Sequence, residues 1–263
     1  MALDSAAGTQ IWLIGGTSES AQLAIALLEQ KIPYLVTVTT ESARRLYPPS
    51  ANVQVGKMSP EQMSAFIQAQ RIAGILDASH PFACEISQQA IALQTVPYLR
   101  YERAAVQPQV LESAQAKVTV VDSIEALLAS PRLHHQRVLL TLGCRDLYRF
   151  STLRQTTQLF ARILPSIEAI AQARAAGFTP DEIVALKPPI SAALEKALWQ
   201  QWSISQVVAK SSGHPGGETV KRQVAAELGV ELILLRRPPV NYPQQTSSEH
   251  EAIKFCRQTI EAL

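Results

Sequence analysis

Ile11-Trp12-Leu13-Ile14-Gly15-Gly16-Thr17-Ser18-Glu19 is the stretch on which the reading of the fold turns. Four apolar residues form a strand candidate, two glycines let the chain turn, and Ser18 opens a segment to Gln30. Within that segment Ala21, Leu23, Ala24, Leu27 and Leu28 recur at helical spacing. A strand, a glycine turn and a helix start make a phosphate seat, because glycine permits close backbone approach while free N–H groups and the helix dipole attract an anion. Thr17 stands where the second glycine of G-x-G-x-x-G would be, so an ordinary strand-to-helix turn is the competing reading. The position on the first strand favours the phosphate seat.

Outward from that stretch, apolar strand-like runs alternate with amphipathic segments. Tyr34–Thr39, Val53–Val55, Ala73–Asp77 and Tyr98–Arg100 are strand candidates, with a helix start at Ser59-Pro60-Glu61-Gln62 and a helical segment opened by Pro81. The second half continues with Val118–Val121, Val138–Leu142, Leu159–Leu164, Gln206–Lys210 and Leu232–Leu235. Helical patterns begin at Ser123, Leu147, Ser166, Ser191, Glu218 and Ser247. This βαβ alternation predicts an α/β fold of two Rossmann-like, doubly wound domains with parallel sheets and an interdomain cleft. Arg103–Lys117 is the least periodic stretch, so the expected domains are 1–110 and 111–263.

The 263 residues are 47% hydrophobic and 17% charged, which builds cores and excludes wholesale disorder. Lys and Arg number 24 against 22 Asp and Glu, a net +2 that is too balanced for a general nucleic-acid binder. Cys84, Cys144 and Cys256 make neither a disulfide framework nor a zinc site. Residues 1–10 carry no apolar h-region and no apolar run nears the ~18 residues of a membrane span. The expected setting is the cytoplasm, with no membrane or nucleic-acid partner.

Two further constellations carry chemistry. Asp77-Ala78-Ser79-His80-Pro81-Phe82-Ala83 ends a buried strand, where residues of open α/β sheets face the ligand. His80 is the candidate proton donor, and Asp77 either orients it, holds a ribose or simply caps the next helix. Lys210-Ser211-Ser212-Gly213 follows another strand, Lys221 lies on the next helix, and Arg236-Arg237 ends a neighbouring strand. These groups form either an anion site or a solvated turn. Arg100 and Arg103 end a strand of the first half and supply a second basic rim. His134-His135, Trp199, Trp202 and Cys144 read as loop, core and unactivated thiol.

In this order, these loops resemble precorrin-6A reductases of cobalamin biosynthesis. The matching residues are Gly15–Glu19, Asp77–Ala83 with Ser87, Arg100–Arg103, Lys210–Gly213, Lys221, Ala225-Ala226 and Arg237-Pro238. The resemblance implies reduction of one carbon–carbon double bond of a tetrapyrrole-derived polycarboxylate with a nicotinamide cofactor. It implies catalytic roles for His80 and Asp77 and substrate contacts from Arg100, Arg103, Lys210, Ser211, Ser212, Gly213, Lys221 and Arg237. The cofactor set is Gly15, Gly16, Thr17, Ser18, Thr40, Arg44 and Ser79. Arg44, one turn beyond the second strand, favours NADPH, while Glu41 keeps NADH open. The chain departs from the family at Thr141-Leu142-Gly143-Cys144-Arg145, and at Val55-Gly56-Lys57-Met58, which points to the branch acting on the cobalt-containing ring. A non-catalytic protein that binds a nucleotide or tetrapyrrole through the same loops is the alternative.

Overall fold

A computed structural model describes residues 8–103 and 117–262. The expected boundary at residue 110 lies outside them, as do the first seven residues of the start read as lacking a signal. The chain divides into two compact units, Met1–Ala104 with Pro238–Leu263, and Ala105–Arg237.

The first unit begins with β1 (Gln10–Ile14), α1 (Ser18–Glu29), β2 (Tyr34–Val38), α2 (Glu41–Arg44), β3 (Val53–Val55), α3 (Pro60–Ala69), β4 (Ile72–Asp77), α4 (Cys84–Leu93) and β5 (Tyr98–Tyr101). β4 is buried along its whole length, which suits its continuous apolar run between two helical layers. Ser59 caps α3 reciprocally with Gln62, as the sequence predicts, and Pro60 takes the first helical position. The helix expected from Pro81 starts later, at Cys84, because Asp77–Ala83 is tied into a loop, with the Ala83 N–H donating to the His80 carbonyl at 2.7 Å.

The second unit runs β6 (Val118–Val121), α5 (Ile124–Leu128), β7 (Arg137–Thr141), β8 (Gln158–Ile163), α6 (Ile167–Ala175), β9 (Ile183–Ala185), α7 (Ala192–Gln201), β10 (Gln206–Lys210), α8 (Glu218–Leu228) and β11 (Glu231–Leu235). Ser123, Ser166 and Ser191 cap α5, α6 and α7. The helix expected from Leu147 is a 3-10 helix over Leu147–Gln155.

The chain then returns to the first unit with β12 (Gln245–Thr246) and α9 (Glu249–Glu261). This corrects the expectation that 111–263 form one domain. Ala252 and Cys256 of α9 are fully buried in the core of the first sheet, and β12 pairs with β5. The helical spacing around Ser247 shows an amphipathic face but not which sheet it covers.

Strand order is β12-β5-β4-β1-β2-β3 in the first sheet and β6-β11-β10-β7-β8-β9 in the second, and the paired strands are parallel. The carboxyl ends of each sheet therefore share one edge. In the first sheet the chain reverses its direction of growth between β1 and β4, which brings Gly15–Thr17 beside Asp77–Ser79. Among the described residues no helix is long and apolar enough to cross a membrane.

A Cβ on Gly74 of β4 would stand 2.7 Å from Thr259 Cγ2 of α9. Gly74→Ala should cost about 1–3 kcal/mol by overpacking. Thr259→Ser, which removes that methyl, should recover most of the loss in a double-mutant cycle measured by urea unfolding.

Candidate functional site

The turn after β1 is built around Thr17. Its side chain accepts the Ser20 N–H at 3.0 Å, caps α1 in a reciprocal box, and donates to the Ala78 carbonyl at 2.9 Å. That last bond joins the two loops at the reversal point. Gly16 adopts φ +105°, a backbone that favours glycine, and nothing lies within 4 Å of where its Cβ would be. The sequence leads one to expect free N–H groups at Gly15, Gly16 and Thr17, and the structure corrects this. Gly15 donates to the Thr37 carbonyl, Gly16 to the Tyr47 phenol oxygen at 2.8 Å, and Thr17 to Ser20 Oγ. The donors left for an anion are one step along, at Ser18 and Glu19, whose N–H groups open α1 without an acceptor among the described residues.

Asp77 and Arg100 organise the neighbouring loop. Asp77 is fully buried; one carboxylate oxygen accepts from the Ser79 N–H and Arg100 Nη1, both at 2.9 Å. The other accepts from Ser87 Oγ at 2.5 Å and Tyr98 OH at 2.6 Å. Burial, reinforced by the Asp77 charge, pushes the Tyr98 phenol up, so it remains a donor. Arg100, expected to hold substrate, is 1% exposed. Its guanidinium also donates to Ser79 Oγ and the Ser79 carbonyl, bonds Glu102 and lies over the Tyr242 ring. Both side chains are buried and hold the loop together. Ser79, expected at the cofactor, is held in the same network and is buried.

His80 is half-buried, and its Nδ1 accepts the Phe82 N–H at 3.2 Å. That bond fixes the orientation of the ring within the loop. Arg103, expected at the substrate, meets Glu19 Oε1 at 2.5 Å at the start of α1. At the end of β2, exposed Thr40 caps α2, and the Arg44 side chain is 55% exposed, 3.9 Å from Glu41. A cavity of about 230 Å³ lies beside the ends of β2 and β3, lined by Thr37, Gln54, Val55, Gly56, Lys57 and Met58 among others.

In the second unit, Lys210 bonds Asp146 at 3.0 Å, and Arg237 donates to the Ser211 carbonyl at 2.9 Å. Gly213, expected to offer its N–H to a ligand, donates it to Glu218 Oε2 at 3.0 Å, and Arg222 holds the other oxygen of that carboxylate. Ser212 is buried, and a Cβ on Gly216 would stand 1.8 Å from its hydroxyl. Lys221 is 4% exposed and donates to the Gly216 carbonyl at 3.2 Å and the Gly217 carbonyl at 3.4 Å. It braces the loop from inside, where the sequence leads one to expect a substrate contact. Burial, with the Arg162 guanidinium nearby, holds its amine down to about 8. A hollow of about 520 Å³ near Arg137 and Arg154 opens at the amino ends of β7 and β8, away from all of these residues.

Tyr47, Glu218 and Tyr98 are the working residues that sequence reasoning missed. Tyr47 is 31 residues from its partner Gly16 and carries no local motif.

The family description "Precorrin-6x reductase CbiJ/CobK" matches residues 10–257. The chain is 46% identical to a cobalt-precorrin-6A reductase from Synechocystis sp. (strain ATCC 27184 / PCC 6803 / Kazusa), covering 94% of this chain and 95% of that protein. It is 30% identical to a cobalt-precorrin-6A reductase from Priestia megaterium, covering 92% and 96%. The solved structure of CobK precorrin-6A reductase superposes with a TM-score of 0.77 at 23% identity, over 95% of this chain and 97% of that one, which shows a shared fold.

Asp77→Asn should destabilise the chain by about 3–5 kcal/mol in urea unfolding, because it leaves the buried Arg100 without its main countercharge. The Lys221 amine binds its proton less tightly folded (about 8) than at its ordinary 10.5. The unfolded chain therefore holds more protons between those values, and stability rises with pH across that window. Lys221→Met should flatten that part of the profile of urea midpoint against pH.

Proposed function

Because the chain belongs to the precorrin-6x reductase family, CbiJ/CobK, we propose that it reduces one carbon–carbon double bond of precorrin-6A, as the cobalt form, to the precorrin-6B level with NADPH. The 46% identity to a cobalt-precorrin-6A reductase favours the cobalt-bound substrate. Three unpaired cysteines suit work in the cytoplasm.

The observation that carries the residue assignment is the edge between β1 and β4. Gly16 leaves open space where a side chain would project, the Ser18 and Glu19 N–H groups point out of α1, and His80 stands on the adjoining loop. These features fit the pyrophosphate of a nicotinamide cofactor, which supplies the hydride when bound. Thr40 and Arg44 receive the adenosine ribose and its 2′-phosphate. Arg44 is suited to this because its side chain is largely exposed and its pair with Glu41 is a loose 3.9 Å one. His80, in its imidazolium form, donates a proton to the carbon next to the one reduced and is reprotonated from solvent. Asp77, Arg100 and Ser79 keep that loop rigid, so their part is to position His80. In this reading the first unit carries the cofactor and the second the substrate, whose carboxylate arms meet Lys210, Arg237 and the Ser211–Gly213 loop. Lys221 maintains the shape of that loop from below.

Purified protein should oxidise NADPH only when the unsaturated corrinoid is added, with a higher kcat/KM for the cobalt-bound than for the metal-free ring. Turnover of neither ring would overturn the reductase reading. A charge-assisted bond contributes roughly 1.5–3 kcal/mol, so Arg44→Ala should raise KM for NADPH about ten- to a hundredfold and leave KM for NADH alone.

A further inference from the structure

Tyr47 lies beneath the glycine turn, in the span between the two ends of the proposed cofactor site. Its phenol oxygen accepts the Gly16 N–H at 2.8 Å and lies 2.6 Å from Ser20 Oγ of α1. The fit admits no side chain on Gly15, whose Cβ would fall 2.1 Å from that oxygen. The ring is buried in the core that includes Val36, Val38 and Val53, which holds the phenol against the turn. Burial raises its pKa and keeps it a neutral phenol.

On its backbone side, Tyr47 belongs to the 2′-phosphate loop. Its N–H donates to the Arg44 carbonyl at 3.2 Å, and the Arg44 N–H donates to the Thr40 carbonyl at 3.2 Å. An unbroken series of bonds therefore runs from Thr40 through Arg44 and Tyr47 to Gly16. We propose that Tyr47 is a positioning residue for the cofactor, setting the span between the pyrophosphate turn at Gly16–Glu19 and the 2′-phosphate loop at Thr40–Arg44. This rests on the cofactor reading above. The two phosphate groups of NADPH are joined through one ribose, so a protein that holds both ends must present its two seats at a matching separation. A rigid tie between the seats provides that preorganisation. NADH engages only one of them.

Tyr47→Phe keeps the ring in the core and deletes the hydroxyl. Gly15→Ala disturbs the same contact from the other side, by driving the phenol away from the turn. In both variants the Kd for NADPH, measured by fluorescence titration, should rise about tenfold while that for NADH rises less than about threefold, the loss of roughly one hydrogen bond. In Tyr47→Phe at saturating NADPH, kcat and the corrinoid KM should be unchanged, a split that general loosening of the fold would not produce. Equal losses for NADPH and NADH, or no loss, in a folded Tyr47→Phe protein would overturn the proposal. Gly16→Ala separates it from the reading beneath it. Unchanged NADPH affinity there removes the cofactor seat and the Tyr47 role with it, whereas a loss there without one in Tyr47→Phe removes the Tyr47 role alone.

Discussion

The buried carboxylate of Asp77 is the point from which the first unit's working edge is arranged. Each of its oxygens takes two donors, from Ser79 and Arg100 on one side and Ser87 and Tyr98 on the other. A charge taken from water at this depth is tolerated only when its lone pairs are satisfied and a countercharge lies close. Here the donors come from the loop after β4, from α4 and from β5, so satisfying one group fixes the relative position of three elements. Arg100 extends the network to Tyr242, in the segment that returns from the second unit and precedes β12. Without the returning chain, Arg100 would lose that ring and α9 would not cover the sheet.

The two loops that look like anion seats both spend donors on the protein itself. Gly16 gives its N–H to a phenol, and Gly213 gives its N–H to the carboxylate of Glu218. A flexible loop with several unsatisfied donors would sample many shapes before a ligand arrived, and ordering it would subtract from affinity. Internal acceptors hold each loop in one shape and leave a smaller set of donors, such as Ser18 and Glu19, pointing outward. The same economy applies to the cations. Arg100 and Lys221 are placed where they hold backbone carbonyls and loop side chains, which leaves Lys210, Arg237 and Arg44 nearer the surface.

Much of the architecture was legible in the chain because it is encoded locally. Short apolar runs located β1 to β8 and both β10 and β11 to within a residue or two, and serines opening helical patterns located the starts of α1, α3, α5, α6 and α7. The short strands β9 and β12 escaped because two or three residues carry too little pattern to distinguish a strand from a loop. The loops that carry the candidate site were found as well, since glycine, proline and a titratable residue at a strand end are visible in any sequence.

What the sequence by itself determined, then, was the parallel α/β class, the order of its elements and which loops gather at the carboxyl edges. The family resemblance could be read from those loops. Only the tertiary structure decided the partner of each polar group. Arg100 and Lys221 look like ligand-binding cations until burial is known, and Tyr47 and Glu218 have no motif until Gly16 and Gly213 are seen against them. It also decided that the last helix covers the first sheet. The physical reason is the same in each case. Secondary structure follows from periodicity and backbone preference within a few residues, whereas hydrogen-bond satisfaction and burial depend on which distant residues are brought within 3 Å or so.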